Sequence, residues 1–110
     1  MAKFVKGDVV IVPFPFSNLA QKKRRPALVV ATLMGEDVIL CQITSQTVRD
    51  PYSVMLGRDD FLSGGLNQPS NIRPNRLFTA ASSLVLYKAG QIRSACLQKV
   101  HEQISAILQN

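Results

Sequence analysis

Short runs of β-branched and other apolar residues, separated by segments rich in glycine, proline or charge, make up most of this chain. Runs of this length and composition are typical of β-strands. Five of them predict strands, over residues 8–14, 26–32, 38–44, 52–56 and 72–79. The turn residues at 35–37 join the second and third runs, so residues 26–44 are predicted to form a hairpin. Pro74 interrupts the fifth run, which predicts an edge strand or a bent strand.

The period of the apolar positions changes near the end of the chain. From Gln91 onward they recur every 3 to 4 residues, which predicts an amphipathic helix of about 18 residues whose start is marked by Gly90. Residues 16–25 are predicted to be a loop, residues 57–71 a loop with one helical turn near 58–62, and residues 82–87 a β-rich or short helical segment. The whole pattern predicts a mainly β (α+β) fold in one domain, residues 1–110: a small twisted sheet or barrel with a helix laid on it.

Composition narrows the classes of protein. The chain has 110 residues, of which 46% are hydrophobic and 18% charged, as expected for a packed globular domain. Cys41, Cys96 and His101 are the only cysteines and histidine, too few for a tetrahedral zinc site, and the two thiols are expected to be buried and free. We find no apolar run long enough for a membrane span, no signal region and no glycine-rich phosphate loop. A cytoplasmic protein without a cofactor or membrane is therefore expected.

The charge balance indicates an anionic partner. Lysine and arginine number 13 against 7 acidic residues, a net charge of +6, and nucleic acid is the first candidate. Four cations are consecutive at 22–25, and Arg25, next to Pro26, would be the best oriented for bidentate phosphate contact. Lys23 and Arg24 would add a general positive field. The alternative is a solvated basic loop that only keeps the protein soluble.

Hydroxyl and amide side chains supply two further candidate sites. Thr44 and Ser45 end the third strand, where hydroxyls can donate to a phosphate oxygen, and in a hairpin they would share its open end with Arg25; ordinary strand-end turn chemistry is the alternative. The second candidate comprises Arg73, Asn75 and Arg76 around the Pro74 bend, with a charged, exposed sheet edge as the alternative. His101 and Asp8 are expected to be structural rather than catalytic.

Residues 7–45 resemble the corresponding segment of a known family. The residues that carry the resemblance are Gly7-Asp8-Val9-Val10, Pro13-Phe14-Pro15-Phe16, Arg24-Arg25-Pro26-Ala27-Leu28-Val29-Val30 and Ile43-Thr44-Ser45. In order and spacing they resemble the MazF/PemK (Kid) family of toxin endoribonucleases. A looser match continues through Leu66, Ser70, Arg76 and Thr79 to the closing helix.

The resemblance implies a fold, an activity and partners. The fold would be a small SH3-like barrel, shared with the gyrase poison CcdB, plus a C-terminal helix. Family members are homodimers that cut single-stranded RNA, chiefly messenger RNA, without a metal, and so arrest growth. A cognate antitoxin blocks the site, and the pair is expected to bind the DNA of its own operon.

The resemblance also implies roles for particular residues. The family's catalytic arginine falls on Arg25 and its catalytic threonine on Thr44. An Arg-x-Asp pair that some members use falls on Arg73 and Asn75, so Asn75 replaces a carboxylate. The loop before Arg25 has no His or Glu, which some members carry there, and the general base is not identified. Phe16 is a candidate for stacking on an RNA base.

Two other functions are compatible with the sequence. One is a module of CcdB-like fold that grips nucleic acid, or a protein such as gyrase, without cleaving. The other is a generic SH3-like interaction domain with no role in nucleic-acid binding. The absence of a carboxylate at Asn75 favours the first of these two alternatives.

Overall fold

A computed structural model of the protein describes residues 4–14 and 23–110, which form one curled sheet with a helix packed on it. The strands and the helix are β1 (Asp8–Phe14), β2 (Lys23–Thr32), β3 (Asp37–Thr44), β4 (Val54–Leu56), β5 (Phe61–Gly64), β6 (Ser70–Ala81), β7 (Tyr87–Ile92) and α1 (Ser94–Gln109). Single 3-10 turns precede β5 (Arg58–Asp60) and β7 (Ser82–Leu84). The strand order is β4-β6-β3-β2-β1-β7-β5, and neighbouring strands are antiparallel.

The two faces of the sheet are both packed, because apolar side chains alternate along its central strands. The helix face, on which α1 lies, carries the larger cluster, including Val9, Leu28, Cys41, Ile43, Ile72, Cys96 and Val100. The opposite face, called here the open face, carries Val10, Val12, Ala27, Val29, Val38 and Leu40. Phe4, Phe78, Ala80 and Val85 pack against this second cluster. The apolar cluster covers only part of the open face, and the rest of that face is polar.

Several sequence predictions are confirmed. The first strand, the hairpin of β2 and β3 and the helical turn near 58–62 occur as expected, and Cys41 and Cys96 are buried free thiols. Asp8 is 1% exposed and structural, accepting hydrogen bonds from the Val5 N–H at 3.0 Å and the Gln91 amide at 3.1 Å. No helix among the described residues has the length and apolar character needed to cross a membrane.

The predicted loop over residues 16–25 is wrong for its last part. β2 begins at Lys23, three residues before the predicted start, because β1 extends to Phe14 and pairs with the basic residues. Arg25 pairs with Val12 of β1, and its backbone is therefore held in the sheet. The basic composition of residues 23–25 gave no sign of a strand. They form one because they pair with the apolar end of β1.

The end of the chain also differs from the prediction. The helix begins at Ser94, because Gln91 and Ile92 belong to β7, where they pair with β1 and β5. β5 lies within the segment predicted to be a loop. Gly90 does not start a helix but lies in β7, where a Cβ atom would come within 2.6 Å of the Ser63 carbonyl oxygen of β5.

The strand around Pro74 lies at an edge of the described sheet over most of its length. β6 stands between β4 and β3 in the strand order, but β4 pairs only with residues 70–72, so the rest of β6 has no described strand on that side. The register with β3 shifts at this proline: Gln42 pairs with Arg73, whereas the adjacent Cys41 pairs with Leu77. The residues between Arg73 and Leu77 have no partner in β3, so the proline disturbs no ladder hydrogen bond there.

Candidate active site

The polar end of the open face is formed by side chains from three adjacent strands. Alternation along each strand places them on the same face as Ala27, Val29 and Leu40. They are Arg25 of β2, Gln42 and Thr44 of β3, and Asn71 and Arg73 of β6, and we call this set the polar patch. Because the sequence changes from apolar to polar along each strand at the same level, the patch borders directly on the apolar cluster.

The sheet register aligns the two residues that the sequence singled out most strongly. The last pairs of the β2–β3 ladder include Ala27 with Gln42, and continuing this register by two residues brings Arg25 level with Thr44. On the other side, Thr44 pairs with Asn71. Residues level with each other on adjacent strands have Cβ atoms about 4.5–5.5 Å apart. Arg25, Thr44 and Asn71 thus form one row across the sheet.

The loop of residues 45–53 is tied back to this row. The hydroxyl oxygen of Thr44 accepts a hydrogen bond from the Gln46 N–H at 3.1 Å, and the Asn71 amide donates to the Gln46 carbonyl at 3.1 Å. Thr44 is 9% exposed. In this hydrogen bond the Thr44 hydroxyl oxygen is the acceptor. Its O–H proton therefore remains free to donate to a ligand.

An aspartate that the sequence analysis missed lies against the patch. Asp50 Oδ2 accepts a hydrogen bond from Arg73 Nη2 at 2.9 Å, and its Oδ1 accepts the Tyr52 N–H at 3.0 Å. Desolvation acts to raise the pKa of Asp50. The hydrogen bonds from Arg73, Tyr52 and Ser53 and the positive charge of Arg73 outweigh it and hold that pKa below its usual value of 3.8. The carboxylate is therefore ionised at neutral pH.

The two arginines of the patch each present an unpartnered donor. The Nε atoms of Arg25 and Arg73 are both buried, and neither has a hydrogen-bond partner among the residues that the structure describes. Buried polar groups in proteins are nearly always satisfied, and an exception calls for a ligand or another explanation. Two guanidinium donors beside a threonine hydroxyl match the needs of a phosphate group.

Other predicted site residues are distributed around the patch rather than within it. Lys23 alternates onto the open face with Arg25, whereas Arg24 lies on the opposite side of β2, and both are exposed. Ser45 is exposed directly after β3. Asn75 and Arg76 are exposed in the segment where β6 lacks a partner. Phe16 lies outside the described residues.

The recorded hydrogen bond of His101 is not to a residue of the patch. Its Nε2 lies 3.2 Å from the carbonyl oxygen of Val30, between α1 and the sheet, which agrees with the structural role expected for it. Within residues 4–14 and 23–110, no group of three or more His, Cys, Asp and Glu side chains is arranged to hold a metal ion. At the patch, the guanidinium groups of Arg25 and Arg73 and the hydroxyl of Thr44 can donate hydrogen bonds, and the two arginines can stabilise negative charge.

Comparison with protein families gives one match, and it spans nearly the whole chain. The model of a family described as PemK-like, MazF-like toxin of type II toxin-antitoxin system matches residues 5–108. No curated protein sequence matches the chain.

Solved structures of similar fold include toxins and toxin–antitoxin complexes. MazE-MazF (Form-III) from Deinococcus radiodurans is 19% identical with a TM-score of 0.76, and 98% of each chain is covered. An endoribonuclease in complex with its cognate antitoxin from Mycobacterial species is 18% identical, with a TM-score of 0.74 over 99% of this chain and 96% of that one. The Mycobacterium tuberculosis toxin MazF-mt6 is 17% identical, with a TM-score of 0.73 over 93% and 96%. The predicted fold class is confirmed.

Proposed function

Because the chain belongs to the PemK-like, MazF-like toxins of type II toxin-antitoxin systems, we propose that it is an endoribonuclease that cleaves single-stranded RNA, chiefly messenger RNA, at short sequences. The observation that carries this proposal is the polar patch, where the buried Nε atoms of Arg25 and Arg73 have no hydrogen-bond partner in the described part of the chain and share a sheet face with Thr44. A single-stranded RNA supplies phosphates for these donors and unstacked bases for sequence choice.

The proposed reaction uses the 2′-hydroxyl of the substrate as the nucleophile. Its oxygen attacks the adjacent phosphorus, its proton leaves to a base, and the bond to the 5′ oxygen breaks, giving a 2′,3′-cyclic phosphate and a 5′-hydroxyl. The reaction requires charge stabilisation on the phosphorus and a proton for the leaving oxygen. No metal is needed for these steps, since guanidinium groups supply the charge.

Arg25 and Thr44 have the central roles in this proposal. Arg25 stabilises the extra negative charge and assists the leaving group, while Thr44, with Ser45 beside it, orients the scissile phosphate. A guanidinium keeps its proton at neutral pH and is not a base. Arg73 contacts the substrate through N–H groups that Asp50 does not occupy, and Lys23 adds to the positive field.

The other predicted site residues have secondary roles in the proposal. Asn75 and Arg76 are exposed, where they would meet flanking nucleotides rather than the scissile phosphate. Arg24, exposed on the opposite side of β2, would add only to the general positive field. Phe16 keeps its proposed role as a stacking residue. Asn75 does not titrate, so it is not the base.

The proposed partners follow from the family of the chain and from apolar side chains on its surface. A second copy of the chain would complete the RNA groove, and the exposed apolar side chains of Leu84, Leu86 and Tyr87, 49%, 48% and 52% accessible, are available for such a dimer. We propose that the cognate antitoxin covers the same positive groove and that the pair binds operon DNA.

Incubation of the purified protein with a long RNA in EDTA tests the proposed activity. We expect defined fragments that end in a 2′,3′-cyclic phosphate and begin with a 5′-hydroxyl. Once the cut sequence is known, an oligonucleotide with one deoxyribose at the cut should bind but stay intact, because it lacks the nucleophile. Cleavage of that oligonucleotide, or fragments with other ends, would contradict the mechanism.

The same experiment separates the two alternative functions. A salt-sensitive mobility shift without fragments would indicate a module that grips nucleic acid without cleaving it. Neither shift nor fragments would indicate a generic SH3-like interaction domain with no role in nucleic-acid binding. Both outcomes would overturn the endoribonuclease proposal.

A further inference from the structure

We propose that Asp50 is a positioning residue that fixes the Arg73 guanidinium and compensates its charge, so that the scissile phosphate binds at Arg25. This inference rests on the proposed function and assigns different tasks to the two arginines of the patch. Arg25 binds the anion, whereas Arg73 is a fixed hydrogen-bond donor whose charge is already paired.

The geometry of Asp50 is that of a clamp. One carboxylate oxygen accepts from Arg73 Nη2 at 2.9 Å and the other accepts from the Tyr52 N–H at 3.0 Å. The side chains of Asp50 and Arg73 are each 21% exposed, so the pair is more shielded from solvent than a surface ion pair. Because the Tyr52 bond fixes the carboxylate, the arginine is held in turn.

Arg73 is also held at its main chain. Its carbonyl oxygen accepts a hydrogen bond from the Cys41 thiol at 2.8 Å, next to the register shift of β6. The loop that carries Asp50 is fastened to the same row of the sheet through Gln46, which contacts Thr44 and Asn71. Both ends of the Arg73 side chain are thus fixed, which suits a donor that must be oriented before substrate binds.

The two arginines differ in their electrostatic surroundings. Arg73 shares an ion pair with Asp50, whereas Arg25 takes part in neither of the two ion pairs found within the described residues. An RNA phosphate must compete with Asp50 for Arg73 but has no protein carboxylate to displace from Arg25. Removing the Asp50 charge should therefore tighten RNA binding while it loosens the geometry needed for turnover.

The test compares Asp50→Asn with Asp59→Asn, which removes the same charge from an exposed position in the 3-10 turn. Affinity for a 2′-O-methylated RNA, which lacks the nucleophile, is measured by fluorescence anisotropy over a range of KCl concentrations, and kcat is measured on unmodified RNA. For Asp50→Asn we expect binding tightened at least about threefold and a salt slope steeper by about 0.7, the value for one more phosphate contact on a single strand. We expect kcat to fall about 10- to 100-fold, and Asp50→Glu to restore the binding and salt slope of the unchanged protein.

A second pair of variants keeps the inference testable if Asp50→Asn does not fold. Arg25→Gln should lower the salt slope by about 0.7, whereas the double variant Asp50→Asn/Arg73→Gln, which removes an ion pair of zero net charge, should lower kcat with the slope unchanged. Equal changes of slope in these two variants would overturn the inference.

The outcomes distinguish this inference from the proposed function. Parallel losses of binding and kcat in Asp50→Asn would mean that Asp50 only supports the fold, and values equal to those of the unchanged protein would exclude any role in the site. Either result overturns the inference while RNA cleavage by the unchanged protein still stands. If the unchanged protein binds no RNA, both the proposed function and the role assigned to Asp50 are overturned. If it binds RNA without cleaving it, the salt slopes of the variants decide the role of Asp50.

Discussion

Replacing Arg25 by alanine should abolish most RNA cleavage with little effect on the fold. The substitution removes a guanidinium whose buried Nε has no hydrogen-bond partner within residues 4–14 and 23–110. Losing one well-placed transition-state donor typically costs about 10²–10³ in rate, or about 2.7–4 kcal/mol of transition-state stabilisation. The same substitution removes an unsatisfied buried donor, a desolvation cost of about 1–3 kcal/mol, which offsets the packing lost with the side-chain stem. We therefore expect the free energy of unfolding to change by less than about 1 kcal/mol.

Arg24→Ala is the matched control for this variant. It removes the same charge and the same donors from the neighbouring position of β2, but Arg24 lies on the opposite side of the strand and is exposed. Only its contribution to the long-range positive field is lost, so we expect a few-fold effect that disappears as salt is raised.

Single-turnover cleavage of a long RNA, with urea unfolding of each variant, measures both quantities. The predicted result is a loss of at least 100-fold for Arg25→Ala at unchanged urea midpoint, and near-normal activity for Arg24→Ala. Activity within a few-fold of the unchanged protein in Arg25→Ala would refute the assignment. Equal losses in the two variants would show that the net charge matters and the position does not.

Three further predictions concern the hydroxyl, the buried thiol and the close strand contact. Thr44→Ala should lower the cleavage rate about 10²–10³-fold, whereas Thr44→Ser should keep most of the rate because it keeps the hydroxyl. Ser45→Ala should lower the rate less. Unimpaired cleavage by Thr44→Ala would exclude a role for this hydroxyl in orienting the phosphate. Burial raises the pKa of Cys41 from its usual 9.0 to about 12, so its thiol stays protonated and should react with a disulfide reagent only after unfolding. Because the unfolded state loses this proton first, Cys41 should make stability fall as pH rises from about 9 towards 12, and the urea midpoint of Cys41→Val should lack that part of the fall. Gly90→Ala should cost about 1–3 kcal/mol by urea unfolding, because its Cβ would meet a β5 carbonyl oxygen at 2.6 Å, while Gly65→Ala, with nothing within 4 Å, should be nearly neutral.

The apolar runs predicted the central sheet well because burial on both faces leaves a strong local signal. β1 and β3 agree with the prediction to within one residue. The signal fails where strands are short or polar: β5 has only Phe61 buried, and β2 begins with three basic residues. Such segments become strands because a neighbouring strand offers hydrogen bonds, and that information is not local.

The site was predictable to the extent that single residues have distinctive chemistry. Arg25 and Thr44 stood out by residue type and position, and the hairpin indicated that they share one end. Asp50 carried no such signal, because its partner Arg73 is 23 residues away along the chain. Asp50 precedes a proline, which marks a turn, but a turn does not specify which cation the carboxylate meets. The Arg-x-Asp pair of some family members would put an acid two residues after Arg73, where this chain has Asn75, and the carboxylate that contacts Arg73 comes instead from Asp50 in another loop.

The alignment of Arg25 with Thr44 depends on an irregularity that no local pattern reveals. The β2–β3 register shifts between Val29 and Ala31. If the register on the turn side of this bulge continued unbroken, Arg25 would be level with Ser45 instead of Thr44. A shift of one residue also moves every following side chain to the other face of the sheet. The bulge therefore determines which hydroxyl-bearing residue is level with Arg25, so the arrangement of the patch depends on the register of the apolar half of the same hairpin.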